Sequence, residues 1–298
     1  MAKRRCSAIE GLTTDNPACT APHHAYMQAA DFKRSMQVAR FYERFLPKAW
    51  RSSDLTIPVV RLSGAIMAGG GPLRPTLSLA SVAPVLERAF AYKESPVVAL
   101  IINSPGGSPV QSNLIYQRIR SLAKEKNKKV IAFAEDAAAS GGYMIACAAD
   151  EIFVDPSSIV GSIGVVSSSF GFVEALKKLG VERRLHTAGQ NKAILDPFKP
   201  ENEADVARLK QLQLEIHDVF INLVKASRGT RLADDPDLFT GAFWTGAKAV
   251  SLGLADGLGD MRQTLKARFG EKTGFKLVTA PRGFLGRSAG LGAGMAGE

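Results

Sequence analysis

Short apolar runs and longer stripes with helical spacing alternate along most of this chain. Residues 57–62 and 97–102 are nearly continuous apolar runs bounded by turn residues, a pattern typical of strands buried on both faces of a parallel sheet. Further strands are predicted at 129–133, 151–154 and 181–187. Helices are predicted at 82–92, with Pro84 in the first turn, and at 110–124, 143–149 and 203–226. This alternation predicts an α/β fold with a mostly parallel sheet flanked by helices.

The helix predicted at 203–226 carries the longest apolar stripe. The stripe, expected to be buried, consists of Val206, Leu209, Leu212, Ile216, Val219, Phe220 and Leu223. Residues 1–54 are expected to form a basic arm, partly flexible and partly an amphipathic helix over 30–46. Residues 55–275 are expected to form the main domain, and residues 276–298 a glycine-rich flexible tail.

Composition narrows the class of protein. With 298 residues, 46% hydrophobic and 22% charged, the chain is excluded from the disordered, collagen-like and coiled-coil classes. The net charge is +10, and about half of it lies in the first 51 residues. Because no run of five like charges occurs and only 7% of residues are aromatic, nucleic acid is not expected as a partner. The basic arm is expected either to pack on the main domain or to lie on an anionic membrane surface.

The sequence predicts neither a membrane span nor a secretory signal peptide. Residues 55–71 are the best span candidate, but Pro58, Arg61 and glycines interrupt them. Lys3, Arg4 and Arg5 precede no apolar segment of the kind a signal peptide needs. We therefore expect a protein in the cytoplasm, or peripheral at the inner membrane, of a bacterium.

Cysteine usage indicates a reducing compartment. The three thiols, Cys6, Cys19 and Cys147, are odd in number and far apart, so neither a disulfide framework nor a zinc site is expected. No other metal or cofactor site is indicated.

Two turns follow predicted parallel strands, where open α/β sheets bind ligands. The turn at 103–108 contains Gly106 and Gly107, which allow a close approach of the backbone. The turn at 139–142 places Ser140 at the start of a helix, beside Gly141. Ser140 is either a helix cap or a nucleophile next to an N–H that stabilises an oxyanion.

A nucleophilic serine requires a base. His23 and His24 lie in the arm and His217 in the long helix, where structural or exposed roles are expected. His186 is a further candidate. Lys192 is another, because apolar residues follow it and turn residues surround it.

Five motifs occur in a characteristic order. They are Asn-Ser-Pro-Gly-Gly at 103–107, Ala-Ala-Ser-Gly-Gly-Tyr at 138–143, Gly-Ser-Ile-Gly-Val at 161–165, the segment 189–198, and 240–246 leading to 253–256. In these residues the chain resembles the signal peptide peptidase A family of serine peptidases, which share the Clp protease/crotonase fold of repeated β-β-α units. The likeness extends from about residue 58 to residue 261.

The resemblance implies a Ser-Lys dyad and an acyl-enzyme. It makes Ser140 the nucleophile and Lys192 the general base. Their separation of 52 positions fits family members in which one chain supplies both residues. The resemblance also makes Ser162 the residue that orients Lys192. It places Gly106, Gly107 and Gly141 in the oxyanion hole. It also implies peptide substrates, such as remnant signal peptides or unfolded segments, no cofactor, and a homo-oligomeric ring or dome.

Two other functions share this fold class. A Clp-type triad would need a histidine about 25 positions after Ser140, where Gly164, Val165 and Val166 stand instead. A crotonase-like acyl-CoA enzyme would not need the Ser140/Lys192 pair. A non-catalytic scaffold of the same fold is the remaining alternative.

Overall fold

The computed structural model describes residues 55–69 and 76–279. Contacts divide the chain into Met1–Ser53 and Asp54–Glu298, and every described residue belongs to the second unit. The expected arm at 1–54, with its amphipathic helix, lies outside the described residues, as do residues 280–298 of the expected tail.

Eight strands and seven α-helices make up the described part of the chain. The strands are β1 (Thr56–Ser63), β2 (Val97–Ser104), β3 (Lys129–Ala139), β4 (Glu151–Val154), β5 (Ile159–Gly161), β6 (Phe243–Thr245), β7 (Gly257–Leu258) and β8 (Gly274–Leu277). The helices are α1 (Leu79–Phe90), α2 (Pro109–Glu125), α3 (Gly141–Ala146), α4 (Val173–Leu179), α5 (Glu203–Arg228), α6 (Gly246–Ser251) and α7 (Met261–Phe269). A short 3₁₀ turn, Gly229–Arg231, follows α5.

The strands form one sheet in the order β6-β5-β3-β2-β1-β8, with β4 pairing with β3 and β7. All pairings are parallel except that of β5 with β6. The prediction of an α/β fold with a mostly parallel sheet flanked by helices is confirmed. In β8, Leu277 pairs with Val59 of β1, so the sheet extends two residues into the segment expected to be a tail.

Both faces of the sheet are covered. On one face a large core packs β1–β3 against α1, α2 and α3, and a smaller core on the other face includes Leu265 of α7. Seven of the eight residues of β2 are buried, as its uninterrupted apolar run predicts. The carboxyl ends of β2 and β3 are thereby held side by side on a rigid base.

β3 is longer than predicted. It continues through Ala137, Ala138 and Ala139, where a loop was expected, and these residues pair with β5. β3 therefore pairs with β4 through residues 131–134 and with β5 through residues 137–139. This extension places Ser140 directly after a strand that is anchored on both sides.

Helix α1 begins earlier than predicted. Ser78 and Ser81 form a reciprocal capping box, so the helix starts at Leu79 and Pro84 lies inside it, beyond the first turn. The expectation that Pro84 occupies the first turn is wrong because it overlooked this cap.

Two other expectations are wrong. Residues 181–187 form no strand. Of the stripe on α5, only Phe220 is buried; Leu212, Ile216 and Val219 are exposed, and the other three residues are half-buried. The helix itself is confirmed and runs two residues further, to Arg228.

The end of α5 is fixed by a buried ion pair. The side chain of Arg228 is fully buried and its guanidinium donates to both carboxylate oxygens of Asp256, at 2.8 and 3.0 Å. Asp256 also accepts from Ile152 N of β4. Burial alone would raise the pKa of Asp256, but these hydrogen bonds and the charge of Arg228 hold it below its ordinary value.

Asp256→Ala is expected to lower the free energy of unfolding by about 3–5 kcal/mol, because it leaves the Arg228 charge buried without its partner. Since the pKa of Asp256 is lower in the folded state, its contribution is present above about pH 4 and is lost as pH falls below that range. Urea unfolding at several pH values measures both effects. Asp218→Ala, at an exposed position on α5, is the control and should change stability by less than about 0.5 kcal/mol. An unfolding curve for Asp256→Ala that matches wild type would contradict the prediction.

Candidate active site

Two loops meet at the carboxyl ends of β2 and β3. The register pairs Ser104 of β2 with Ala138 of β3, so the turn at Gly106 faces the turn at Ser140. A Cβ on Gly106 would lie only 2.7 Å from Ser140 Cβ and 2.8 Å from Gly141 N. A side chain at position 106 would therefore separate the two loops, and glycine is required for their close approach.

Ser140 occupies a strained turn between β3 and α3. Its φ is +50° and its ψ is −123°, a region that non-glycine residues rarely occupy. The conformation is held because Ser140 N donates to Gly161 O at 2.8 Å and Ser140 O accepts from Met144 N at 3.0 Å. The Ser140 side chain makes no capping hydrogen bond to α3, and the residue is only half-buried. The helix-cap interpretation of Ser140 is therefore wrong, and its hydroxyl remains available.

The backbone of Ile66 fixes the orientation of Gly107. Ile66 N donates to Gly106 O at 2.9 Å, and Ser108 N donates to Ile66 O at 2.7 Å. Ile66 thus forms a parallel bridge with Gly107, and it bonds to the residues on either side of Gly107. In a parallel bridge, the middle residue turns its own N–H away from the partner strand. The N–H of Gly107 thus points away from Ile66.

The glycines expected in the oxyanion hole differ in their hydrogen bonds. Neither Gly107 N nor Gly141 N has an acceptor among the residues that the structure describes. Gly106 N, in contrast, donates to Ser104 Oγ at 3.2 Å. Gly107 and Gly141 therefore provide the N–H groups that are free to bind an oxyanion. Gly106 instead allows the two loops to approach each other closely.

Ser140 opens into a cavity of about 650 Å³. Gly107, Gly141 and Ser162 line it too, so the structure brings four predicted site residues together. The rest of the lining is mostly apolar and comprises Pro105, Pro109, Met144, Gly164, Val165, Val166, Ile216, Phe220, Thr240 and Gly241. None of these lining residues is titratable, so this described part of the chain places no base beside Ser140.

Ser162 sits at a second strained turn, after β5. Its φ is +53°, and its N–H donates to Ala242 O at 2.7 Å. The preceding Gly161 packs against the ring of Trp244, where a Cβ would approach to 2.7 Å. These contacts hold the half-buried Ser162 at the edge of the cavity.

Lys192 is not part of this cavity. It lies in an exposed loop between α4 and α5, and Lys192 N donates to Gly189 O at 3.2 Å. The apolar residues that follow it do not bury it. From residue 164 to residue 219, a stretch that the structure describes completely, no residue is buried.

Neither of the two histidines that the structure describes lines the cavity. His186 is exposed, and His217 is half-buried with its Nε2 2.9 Å from Ile163 O. His23 and His24 lie outside the described residues. The structural role expected for His217 agrees with its contact to the loop that carries Ser162.

The sequence analysis did not identify the roles of Ile66 and Ser104 in this site. Both hold the backbone of the Gly106–Gly107 turn, Ile66 through its N–H and C=O groups and Ser104 through its hydroxyl. Only the short spacing from Ser104 to Gly106 could have indicated one of them.

In residues 55–69 and 76–279, no group of His, Cys, Asp or Glu side chains could hold a metal ion. No helix in the same residues is both long and apolar enough to cross a membrane. Burial raises the pKa of the Cys147 thiol to about 12, so this cysteine is a protonated core residue at neutral pH.

Serine hydrolases combine a nucleophilic serine with N–H donors for the oxyanion, and Ser140, Gly107 and Gly141 provide these two parts. A family model, Peptidase family S49, matches residues 122–272, which include Ser140, Ser162 and Lys192. The chain therefore belongs to peptidase family S49, and the predicted family resemblance is confirmed.

Several curated proteins are similar to this chain. The Na(+)/H(+) antiporter NhaA of Brucella abortus is 64% identical over 245 residues, which are 82% of this chain and 33% of that protein. The chloroplastic serine protease SPPA of Arabidopsis thaliana is 31% identical over 216 residues, 70% of this chain and 31% of the relative. The probable protease SohB of Buchnera aphidicola subsp. Acyrthosiphon pisum is 33% identical over 176 residues, 59% of this chain and 52% of the relative. The chain thus spans between about a third and about half of the length of these relatives.

Proposed function

We propose that this protein is a serine endopeptidase that cleaves peptides through an acyl-enzyme on Ser140. The observation that carries the proposal is the strained, uncapped Ser140, which lines the same cavity as Gly107 and Gly141, whose N–H groups have no acceptor among the described residues. Membership of peptidase family S49 and the protease names of several relatives support it.

The geometry suits acyl transfer. Ser140 Oγ attacks the scissile carbonyl carbon, and the carbonyl oxygen becomes negative between the two N–H donors. A base takes the hydroxyl proton and later passes it to the leaving amine, which departs with the carboxyl-terminal product. Water, deprotonated by the same base, then hydrolyses the ester and restores Ser140.

We propose that Lys192 of the partner subunit is this base. Among the residues that the structure describes, the cavity lining contains no titratable group, and Lys192 lies in a loop without buried residues. A second copy placed against the cavity could supply the amine and exclude water from it. Ser162, at the cavity edge, would then accept a hydrogen bond from that amine and orient it toward Ser140.

The exposed apolar surface between β5 and α5 supports such an assembly. Apolar side chains in this region that are about half exposed or more are Val166, Phe170, Leu179, Val181, Leu212, Leu214 and Val219. Large apolar surfaces left exposed on a single chain commonly mark sites of protein–protein contact. A second copy of the chain is the proposed occupant, in a closed ring or dome.

The proposed substrates are peptides or unfolded segments, including remnant signal peptides, because an extended chain can enter the open cavity. Peripheral contact of the basic arm with a membrane remains a prediction from the sequence.

A fluorophosphonate probe tests the nucleophile. The wild-type protein is expected to be labelled covalently, and Ser140→Ala is expected to lose both labelling and peptide cleavage. Ser157→Ala, which removes an exposed serine outside the cavity, should react like wild type. A folded wild-type protein that is never labelled would contradict the proposal and favour the scaffold.

Mixing two inactive variants tests the shared site. Ser140→Ala and Lys192→Ala are each expected to be inactive alone. Mixed oligomers of equal amounts should regain about one quarter of the wild-type activity, because one subunit supplies the serine and its neighbour the lysine. Inactive mixed oligomers would show that one chain supplies both groups.

A further inference from the structure

The loop that carries Lys192 is fastened by one ion pair that the proposed chemistry does not use. The Arg183 guanidinium donates to Oδ2 of Asp196, four residues after Lys192. The other carboxylate oxygen, Oδ1, accepts from Phe198 N at 3.0 Å. Although no residue of this region is buried as a whole, the side chain of Asp196 is only 4% exposed.

Aromatic rings enclose the same ion pair. The Arg183 guanidinium lies 5.1 Å from the centre of the Phe198 ring, close enough for a cation–π contact. The Phe198 ring is 5.5 Å from that of Phe172, and Phe172 N donates to Pro197 O at 2.6 Å. We call Arg183, Asp196, Phe198 and Phe172 the clasp. It joins residues on both sides of α4 to the residues that follow Lys192.

A second anchor holds the loop from α5. Leu195 has a φ of +56°, and Leu195 N donates to Oδ2 of Asp205 in the first turn of that helix, at 3.4 Å. The clasp and this bond fix the carboxyl-terminal end of the Lys192 loop. Since its backbone is otherwise held only by the turn from Gly189, the placement of Lys192 depends on these contacts.

Electrostatics favour an ionised clasp. Burial would raise the pKa of Asp196, but the hydrogen bond from Phe198 N and the neighbouring Arg183 hold it below its ordinary value. The main domain gains little from the pair, because the surrounding segment contains no buried residue. The pair therefore orders the loop segments around Lys192 rather than the core of the main domain.

We propose that Arg183 and Asp196 are positioning residues, which hold the Lys192 loop in the shape that presents the lysine amine to a neighbouring active site. This inference rests on the proposed function of Lys192. It assigns the clasp no contact with substrate. Its effect is expected in turnover rather than in substrate binding.

The test compares Arg183→Met, Asp196→Asn and the exchanged double variant Arg183→Asp/Asp196→Arg in the full chain. Each single variant is expected to lose on the order of 10–100-fold in kcat with little change in KM, because a displaced base costs turnover. The exchanged pair should regain a clear part of this loss, since it restores opposite charges. Arg184→Met is the matched control: Arg184 pairs with Glu182 at the surface, and its loss should leave kcat unchanged.

Sedimentation and circular dichroism on the same samples separate the outcomes. The proposal is supported if the single variants keep the wild-type fold and oligomer while kcat falls. It is overturned if Arg183→Met and Asp196→Asn turn over at the wild-type rate, if the exchanged pair recovers nothing, or if the oligomer dissociates in proportion to the lost activity. Lys192→Ala distinguishes the two levels: an inactive Lys192→Ala beside a fully active Arg183→Met refutes only the clasp, whereas a fully active Lys192→Ala refutes the proposed function.

Discussion

Lys192→Ala is expected to lower kcat/KM for peptide cleavage by about 10²–10⁴-fold, the usual effect of removing a general base. Without the amine, nothing takes the proton of Ser140 as it attacks. The oxyanion donors of Gly107 and Gly141 remain, so a low residual rate should persist. Initial rates with a fluorogenic peptide measure the loss, and circular dichroism checks the fold.

Lys192→Arg should be nearly as inactive, although it keeps the positive charge. A guanidinium does not give up its proton near neutral pH, so it cannot act as the base. Lys199→Arg, at an exposed position in the same loop region, is the control and should remain active.

A Lys192→Arg protein that cleaves peptide at close to the wild-type rate would contradict the dyad. His186 would then be the next base to test, because it is exposed in the same region between α4 and α5.

The central sheet was predictable because its signal is strong and local. The apolar run of β2 has no polar interruption, and only a strand buried on both faces explains such a run in so few residues. The end of β3 gave no comparable signal. Alanine has a low strand propensity, and Ala137–Ala139 become a strand because β5 lies beside them.

The apolar stripe on α5 was predicted to be buried, and this prediction failed for a different reason. Its period correctly predicted a helix, but Leu212, Ile216 and Val219 lie in solvent in the single chain. Hydrophobic spacing reports that a face becomes buried and does not report which partner buries it. In the proposed assembly, a second copy buries the same residues.

The residues that line the candidate site were predictable, but the backbone contacts that hold them in place were not. The motifs indicated Ser140, Ser162, Gly107 and Gly141, and the structure places these four around one cavity. The backbone clamp from Ile66 could not be predicted, because any residue type can supply the same N–H and C=O groups. The position of Lys192 could not be predicted either, since the loop makes few contacts with the rest of its own chain.

Gly107→Ala is expected to reduce kcat/KM by on the order of 10²–10³-fold, the cost of losing one oxyanion donor. Gly107 has a φ of +143°, and a Cβ at this position would lie 2.0 Å from Ile66 O. The turn must therefore move away from Ile66, and the N–H of residue 107 moves with it. Because the contact is with backbone, no rotation of a side chain can relieve it.

Gly180→Ala is the control for the effect of placing alanine at a positive φ. Such strain alone is not expected to reduce kcat/KM. Gly180 has a φ of +66° at the end of α4, but open space surrounds the position of its Cβ. This variant should cost about 1 kcal/mol of stability and leave activity nearly unchanged. For Gly107→Ala, kcat/KM is measured on protein shown to be folded by circular dichroism, together with its rate of fluorophosphonate labelling. If folded Gly107→Ala cleaves peptide as fast as Gly180→Ala, the N–H of Gly107 does not stabilise the oxyanion, and the second donor must come from another group at the cavity.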